Sequence, residues 1–151
     1  GGCRGITSTD QKLDAFENAK KLYKFQMKNN WIYLSGYTFN HGMSSMQELL
    51  KEKELPTAVF AINDEVAAGA ISTCYKNNIK VPYDISIFGF DNSFISITTN
   101  PNITTMSHPY RTLGESAVKL INKMINKEIK AGEKRYYSMT LIERDSCKAK
   151  S

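Results

Sequence analysis

Almost wholly apolar runs alternate with amphipathic segments along this chain, and that alternation limits the folds open to it. Residues 57–62 (TAVFAI) and 85–90 (ISIFGF) lack the polar alternation of a half-exposed strand, so both are typical of strands covered on two faces. Between them, Val66 to Cys74 repeats apolar residues at helical spacing, after Asn63 as a predicted N-cap. This strand–helix–strand order predicts a three-layer, doubly wound α/β fold with a mostly parallel sheet.

Apolar residues three and four positions apart predict three further helices, over residues 10–28, 43–50 and 109–126. Ser8, with Gln11 three residues later, is typical of a capping box at the start of the first of these. His108 is the predicted N-cap of the last helix, and Pro109 is its predicted first residue. Three more strands are predicted, over residues 31–37, 103–107 and 136–144.

Composition argues against two classes of partner. The net charge is +5, but only four of the 20 basic residues are arginines. The lysines are spread over helix faces, which is typical of a solvated surface rather than a nucleic-acid interface. No apolar run approaches the ~20 residues that a membrane-spanning helix needs. We therefore expect neither direct nucleic-acid binding nor membrane contact from this chain.

The reactive residue types do not form a recognisable catalytic or metal-binding pattern. Cys3, Cys74 and Cys147 are odd in number and form no CxxC pair, so we expect neither a disulfide framework nor a zinc site. Free thiols favour a reducing, cytoplasmic compartment. His41 and His108 are far apart, and no glycine-rich phosphate motif is present. We therefore expect no enzymatic activity, no cofactor and no metal.

Polar and aromatic side chains follow the predicted strands at the point where each strand ends. Tyr37 follows the first strand, Asn63 the second, Asp91 and Asn92 the third, and His108 the fourth. Ligands of open α/β sheets bind beyond the carboxyl ends of the strands, so we expect these residues to converge on one cleft. A carboxylate, an amide and an aromatic face together suit a small polyol such as a sugar.

Each of these residues also has a purely structural interpretation. Asp91 can cap a short helix that begins at Ser93, and Asn63 and His108 can cap the helices that follow them. Tyr37 can be an aromatic residue of the core. Spacing by itself leaves both interpretations of each residue open.

The order of these segments resembles the lactose-repressor/galactose-repressor (LacI/GalR) family of bacterial transcription regulators. The resemblance rests on PTAVFAINDEVAAGAISTCYKNNIKVPYDISIFGFDNS, ITTMSHPYRTLGESAVKLI and LIERDS, with TDQKLDAFENAKK upstream. It implies the C-terminal part of an effector-binding domain that resembles type I periplasmic binding proteins. In that family a small effector, usually a sugar or a nucleobase, binds between two subdomains and shifts the affinity for DNA. The resemblance also implies a homodimer.

The resemblance assigns roles to individual residues. It implies ligand contacts at Asp91, Asn63, Tyr37, His108, Tyr110 and Ser8. Asp91 matches the acid that holds ligand hydroxyls or ring nitrogens, and Tyr37 lies where an aromatic ring stacks on the ligand. Lys12 stands where the family usually has arginine, so a planar fork is replaced by a point charge that can still bind an oxygen. Dimer contacts are implied at Ala67, Ala70, Ile71, Cys74, Phe94 and Pro101.

The resemblance also divides the chain. Residues 1–108 correspond to the C-terminal effector-binding subdomain without its first strand, 109–135 to a helix and linker that pack on an N-terminal subdomain, and 136–145 to a returning strand. These residues contain no counterpart of the family's DNA-binding domain. The resemblance therefore implies that operator DNA would be contacted only through a domain outside them. The missing strand would lie between residues 31–37 and 57–62, which would leave two strand edges unpaired.

In the family the last helix packs on the N-terminal subdomain, which these residues do not include. The helix face with Leu113, Ala117, Leu120 and Met124 would therefore be bare. We therefore expect a fragment whose exposed surfaces are covered by another chain.

Two other functions stay open at this point. One is a periplasmic sugar-binding protein that serves a transporter, and the three free cysteines argue against it. The other is an enzyme on a flavodoxin-like sheet, for which the sequence offers no nucleophile–base pair and no phosphate loop. The leading hypothesis is an effector-sensing and dimerising domain in which Asp91 ends its strand because that strand end forms the floor of the ligand site.

Overall fold

Two short parallel strands lie at the centre of the molecule in this computed structural model, which describes residues 1–130 and 132–149. Within those residues the α-helices are α1 (Thr7–Tyr23), α2 (Phe39–Leu49), α3 (Asp64–Lys76) and α4 (Tyr110–Ile125). The strands are β1 (Ala58–Phe60), β2 (Ser86–Phe88), β3 (Thr105–Ser107) and β4 (Thr140–Ile142). Short 3-10 turns cover Asn29–Trp31 and Phe94–Ile97.

The strands follow one another across the sheet in chain order. β1 and β2 pair in parallel along their whole length. Parallel bridges then join Phe88 to Thr104 and Asp91 to Ser107, which places β3 beside β2. β4 pairs with β3 in the antiparallel direction. Three parallel strands and one antiparallel edge strand confirm the predicted mostly parallel α/β fold.

Helices cover both faces of the β1–β2 pair, because successive side chains of a strand point to opposite faces. Ile87 is fully buried in the core that α2 and α3 complete, and Val59 packs against that core. The next residue of each strand points the other way. Phe60 and Phe88 stack with ring centroids 5.7 Å apart, and the ring of Phe16 in α1 lies 6.4 Å from that of Phe60. The sheet is therefore the middle layer of three, as predicted.

Four residues of α3 that were expected at a dimer interface lie in the core of this chain. The exposed fractions are 0% for Ala67, 4% for Ala70, 5% for Ile71 and 0% for Cys74. Burial also raises the pKa of the Cys74 thiol to about 12, so the group stays neutral. The interface prediction is wrong for these four residues, because α2 and the strands already cover the apolar face of α3.

α2 and α3 approach each other until their backbones touch. A Cβ atom on Gly42 would lie 2.1 Å from the carbonyl oxygen of Val66, and one on Gly69 would lie 2.0 Å from that of Phe39. No side chain fits at either position, so both require glycine. The approach holds the start of α2 against the first turn of α3, where the Phe39 amide donates to Glu65 Oε2.

Residues 31–37 do not form the predicted strand. Trp31 ends a 3-10 turn, and within the segment only Gly36 makes a bridge, an antiparallel one to Gly2. A cleft of about 650 Å³ separates this segment from β1, and its walls include Tyr33, Leu34 and Val59. A strand is held by hydrogen bonds to a neighbour, and among the described residues no neighbour lies in this cleft. The prediction failed because the residues have strand character but no pairing partner.

α1 begins earlier and ends earlier than predicted. Its N-cap is Ile6, whose carbonyl accepts from the amides of Thr9 and Asp10, so Ser8 lies inside the first turn and the predicted Ser8–Gln11 capping box does not form. The helix ends at Tyr23, because Lys24 takes the left-handed conformation with φ 52°.

Two elements near the C-terminus also differ from prediction. The N-cap of α4 is Pro109 and its first residue is Tyr110, so His108 is not the cap and its ring makes a different contact. The strand predicted over residues 136–144 is limited to Thr140–Ile142, where β3 offers hydrogen-bond partners.

α4 is the most exposed of the four described α-helices. Its apolar residues Leu113, Ile121 and Met124 are 36%, 57% and 45% exposed, and Ser116 is its one buried residue. The apolar face of α4 is therefore exposed, as expected. That another subdomain or chain covers it stays a prediction. No helix of the described residues is long and apolar enough to cross a bilayer.

We predict that Gly69→Ala lowers the free energy of unfolding by about 1–3 kcal/mol, because the new methyl group forces the two helices apart. Urea denaturation monitored by circular dichroism measures the loss. Gly114→Ala is the matched control, since nothing lies within 4 Å of a Cβ atom at that position of α4. It is expected to gain about 0.5–1 kcal/mol through helix propensity. Equal effects of the two substitutions would refute a role for the close helix approach.

Candidate functional site

A cavity of about 770 Å³ opens at the carboxyl ends of β1 and β2. Six of the seven predicted ligand residues line it, namely Ser8, Lys12, Tyr37, Asn63, Asp91 and His108. Parallel pairing explains the convergence, since the segments that leave β1 and β2 emerge at the same edge of the sheet. The residues are thus brought together as expected, and their ligand-binding roles stay predictions.

Asp91 lies on a sharp turn that leaves β2. Its φ is 105°, and Asn92 follows with φ 53°, a region that residues other than glycine rarely adopt. The Asp91 amide donates to the Met106 carbonyl, which ties the turn to β3. The N-cap of the following 3-10 turn is Ser93, so Asp91 does not cap it. The structural alternative for Asp91 is thereby ruled out, and its carboxylate faces the cavity.

One basic side chain, His108, contacts the Asp91 carboxylate, and the charge of a second, Lys12, acts on it. His108 Nε2 lies 3.3 Å from Asp91 Oδ1. Lys12 Nζ donates to the Ile62 carbonyl at 3.1 Å and lies 3.7 Å from the centroid of the Phe90 ring. The lysine is therefore held over an aromatic face in the cavity lining, where one further donor direction can serve a ligand oxygen.

Burial dominates the electrostatics of this cluster. Burial raises the pKa of Asp91 above its ordinary value, and the charges of Lys12 and His108 oppose that shift. Burial also lowers the pKa of Lys12, and the Asp91 charge opposes that shift. Each charged group has lost part of its hydration without full compensation, so hydroxyl groups of a ligand would replace lost hydrogen bonds.

Asn63 uses its side chain within the protein. Its Oδ1 accepts from the Val66 amide at 2.9 Å, which confirms the predicted N-cap of α3. Its Nδ2 donates to the Tyr37 carbonyl at 2.9 Å. The Tyr37 hydroxyl in turn shares a 2.7 Å hydrogen bond with Thr9 Oγ1. Both residues therefore shape the cavity wall, and the tyrosine presents a ring whose polar end is already satisfied.

The remaining predicted residues lie at the edge of the site. Ser8 is exposed in the first turn of α1 and reaches the cavity from there. Tyr110 does not line the cavity, and its side chain is largely solvent-exposed. Its ring lies 5.3 Å from the His108 ring, so it contacts the site only through that histidine.

An aromatic wall formed by Phe16, Phe60 and Phe90 was not predicted. The ring of Phe60 lies 6.4 Å from those of both Phe16 and Phe90, and all three line the cavity. The other lining residues that the sequence did not predict are Gln11, Ala15, Ile62 and Met139. The strand alternation of TAVFAI and ISIFGF could have shown that Phe60 and Phe88 share one face, but the position of α1 opposite that face could not be read from spacing.

The arrangement is suited to binding a small polar ring compound. A carboxylate-bearing residue, a lysine and three phenylalanines line the same cavity. Such a site can hold the hydroxyl groups of a ring compound at one end and the apolar face of the ring against the wall.

Comparison with known proteins agrees with this geometry. The sequence profile of the periplasmic binding protein-like domain matches residues 2–147. Catabolite control protein A of Priestia megaterium is 32% identical over 118 residues, which are 78% of this chain and 36% of that protein. The HTH-type transcriptional regulator MalR of Clostridium butyricum is 33% identical over 138 residues, which are 90% of this chain and 40% of that protein.

A solved structure shares the fold. The LacI family transcriptional regulator of Lactobacillus casei with bound sucrose superposes with a TM-score of 0.78 and 22% identity, over 89% of this chain and 50% of that one. The chain spans about two fifths of the length of the two curated relatives. Because this family profile matches nearly its whole length, the chain belongs to the periplasmic binding protein-like domain family, and its sequence is similar to part of the two regulators named above.

Proposed function

We propose that this chain is the effector-sensing part of a cytoplasmic bacterial transcriptional regulator, and that its effector is a sugar. The observation that carries the proposal is that Asp91, in contact with His108 and within reach of the Lys12 charge, lines a cavity together with three phenylalanine rings. Carboxylates accept hydrogen bonds from sugar hydroxyls, and rings stack on the apolar face of a pyranose. The sucrose held by the Lactobacillus casei relative supports this class of ligand.

The proposed role is binding, with no chemical step. The curated relatives are transcriptional regulators, so the transporter alternative gains no support from them. Free Cys3, Cys74 and Cys147 also fit a reducing compartment better than the periplasm. Effector binding would shift the affinity for operator DNA through a DNA-binding domain outside these 151 residues.

Two surfaces support the proposal that further protein packs on this chain. The first is the cleft of about 650 Å³ between β1 and residues 31–34, where a strand would pair with the free edge of β1. The second is the apolar face of α4, where Ile121 and Met124 are 57% and 45% exposed. We propose that a further strand fills the first surface and that a second subdomain covers the second.

A homodimer is proposed through the turn at Phe94–Ile97 rather than through α3. Phe94 and Ile97 are 78% and 53% exposed, and the nearby Pro101 is partly exposed. An exposed aromatic and aliphatic pair on a short rigid turn supports a protein contact. In a two-fold dimer the same residues of both subunits lie in the interface, so each of these side chains is buried twice.

We predict that Asp91→Asn in the full-length protein weakens sugar binding by about ten- to hundred-fold, the equivalent of one hydrogen bond to a charged group. Asparagine keeps the shape and tolerates the positive φ, but it presents a donor where a carboxylate oxygen accepted. Thermal shift against sucrose, maltose, cellobiose, glucose and ribose identifies the sugar, and calorimetry gives its Kd. Asp14→Asn, on the exposed side of α1, is the control and should bind normally. Unchanged binding in Asp91→Asn would refute the proposed ligand contact.

The same substitution is expected to stabilise the unliganded protein at neutral pH. Because folding raises the pKa of Asp91, the native state binds this proton more tightly than the unfolded state does. Stability therefore falls as pH rises from the ordinary value of 3.8 through the raised native value. Urea unfolding of wild type and Asp91→Asn should show the variant more stable at about pH 7 and the difference lost at about pH 3. A variant that is less stable at neutral pH would contradict the dominance of burial.

We predict that Phe94→Asp weakens self-association of the full-length protein by at least about ten-fold, because each partner loses a large apolar contact. Sedimentation velocity across a concentration series measures the change. Tyr23→Asp is the control, since that ring is 74% exposed on α1 and has no proposed contact. Dimerisation of Phe94→Asp at wild-type concentrations would place the interface elsewhere.

A further inference from the structure

The turn that presents Asp91 lies between two charged side chains that do not contact each other. Asp64, the first residue of α3, bonds to Ser93 on one side of the turn. Arg144, which follows β4, bonds to Asn92 on the other side. Neither residue makes an ion pair within the described part of the chain. A charged side chain without an ion-pair partner is stabilised by hydrogen bonds, so the partners of those bonds show which segments each side chain fixes in place.

Asp64 is 1% exposed and spends both carboxylate oxygens on the turn and on β3. Its Oδ2 accepts from the Ser93 amide at 2.7 Å and from the Ser93 hydroxyl at 3.1 Å. Its Oδ1 accepts from the Thr105 hydroxyl at 2.6 Å, and that hydroxyl oxygen accepts from the Asn92 amide at 3.3 Å. One buried carboxylate therefore holds the two residues after Asp91, one directly and one through a threonine.

Arg144 holds the same turn from the other side. Its Nη2 donates to Asn92 Oδ1 at 2.6 Å. Its Nη1 donates to the Ile103 carbonyl at 2.7 Å and to Ser96 Oγ at 3.2 Å. The planar guanidinium thus fixes the Asn92 side chain against the segment that enters β3 and against the exposed Phe94–Ile97 turn.

Gly89 leaves room for the Asp64 carboxylate, and the unusual backbone conformation of Asp91 and Asn92 requires contacts that hold it. A Cβ atom on Gly89 would lie 2.3 Å from Asp64 Oδ1, so glycine is required for the carboxylate to reach Thr105. Asp91 and Asn92 adopt φ of 105° and 53°, which side chains disfavour. Such a conformation persists only where surrounding contacts impose it, and Asp64 and Arg144 supply those contacts.

We propose that Asp64 and Arg144 are positioning residues for the Asp91 carboxylate. Neither lines the cavity, so neither is expected to touch a ligand. They hold the backbone at residues 91–93 in the strained turn that points the carboxylate into the site. The consequence for binding rests on the proposed function of Asp91, whereas the positioning itself does not.

The test uses the full-length protein without any ligand. In Asp64→Asn the amide nitrogen faces donors, so the Ser93 or the Thr105 bond is lost while the shape is kept. Hydrogen–deuterium exchange read by mass spectrometry should show amides of residues 92–93 exchanging about ten-fold faster or more. A crystal structure of the variant should show φ of Asp91 outside the positive region.

Thr73→Val is the matched control, because Thr73 is also 1% exposed in α3 but donates to the Met43 carbonyl. It should lower the melting temperature without changing exchange at residues 92–93, which separates positioning from general destabilisation. Should Asp64→Asn fail to fold, Thr105→Val and Arg144→Lys each remove one of the contacts to Asn92 and are expected to speed exchange at that residue.

Unchanged exchange at residues 92–93 in all folded variants, with φ of Asp91 still positive, would overturn the inference. Because no sugar is used, this outcome is independent of the sugar response of Asp91→Asn, on which the proposed function depends.

Discussion

Parallel pairing of β1 with β2 is the constraint on which the rest of the structure depends. It brings the residues that follow both strands to one edge of the sheet, so that Asn63 and Asp91 line the same cavity although they are 28 positions apart in the sequence. α3 must then cross from the end of β1 back to the start of β2, which buries it along most of its length. The glycines at 42 and 69 allow α2 to cover it at backbone contact. The site is thus a consequence of how the sheet is wound.

The candidate site combines several locally unfavourable features in the lining of one cavity. Asp91 combines a strained backbone with a carboxylate whose pKa is raised by burial, and Lys12 has lost hydration beside it. Features of this kind persist when the surrounding structure imposes them, and here the buried contacts of Asp64 and Arg144 to the following residues do so. An effector that supplies hydroxyl groups would replace the lost hydrogen bonds, and its binding energy would then favour one subdomain arrangement over another.

Local sequence patterns predicted the elements that depend on local interactions. The strands within 57–62 and 85–90 and the Asn63 cap follow from apolar runs and from a side chain that satisfies its own helix. Residues 31–37 have equal strand character, yet among the described residues their one bridge is that of Gly36 to Gly2, since a strand also needs a neighbour. The apolar stripe of α3 was assigned to a dimer partner, whereas it is covered by α2. A stripe shows that a face is buried and does not show by what.

The sequence by itself determined the order of the elements outside residues 31–37, the parallel winding and the set of polar residues at the strand ends, because periodicity and chain direction encode all three. Only the tertiary structure decided which of those residues are free to meet a ligand. Asn63 is committed to Val66 and Tyr37, whereas Asp91 faces the cavity beside His108. It also decided that Phe16 of α1 lies opposite Phe60 and so completes an aromatic wall. Contacts between residues distant in sequence depend on packing in three dimensions, which spacing along the chain does not contain.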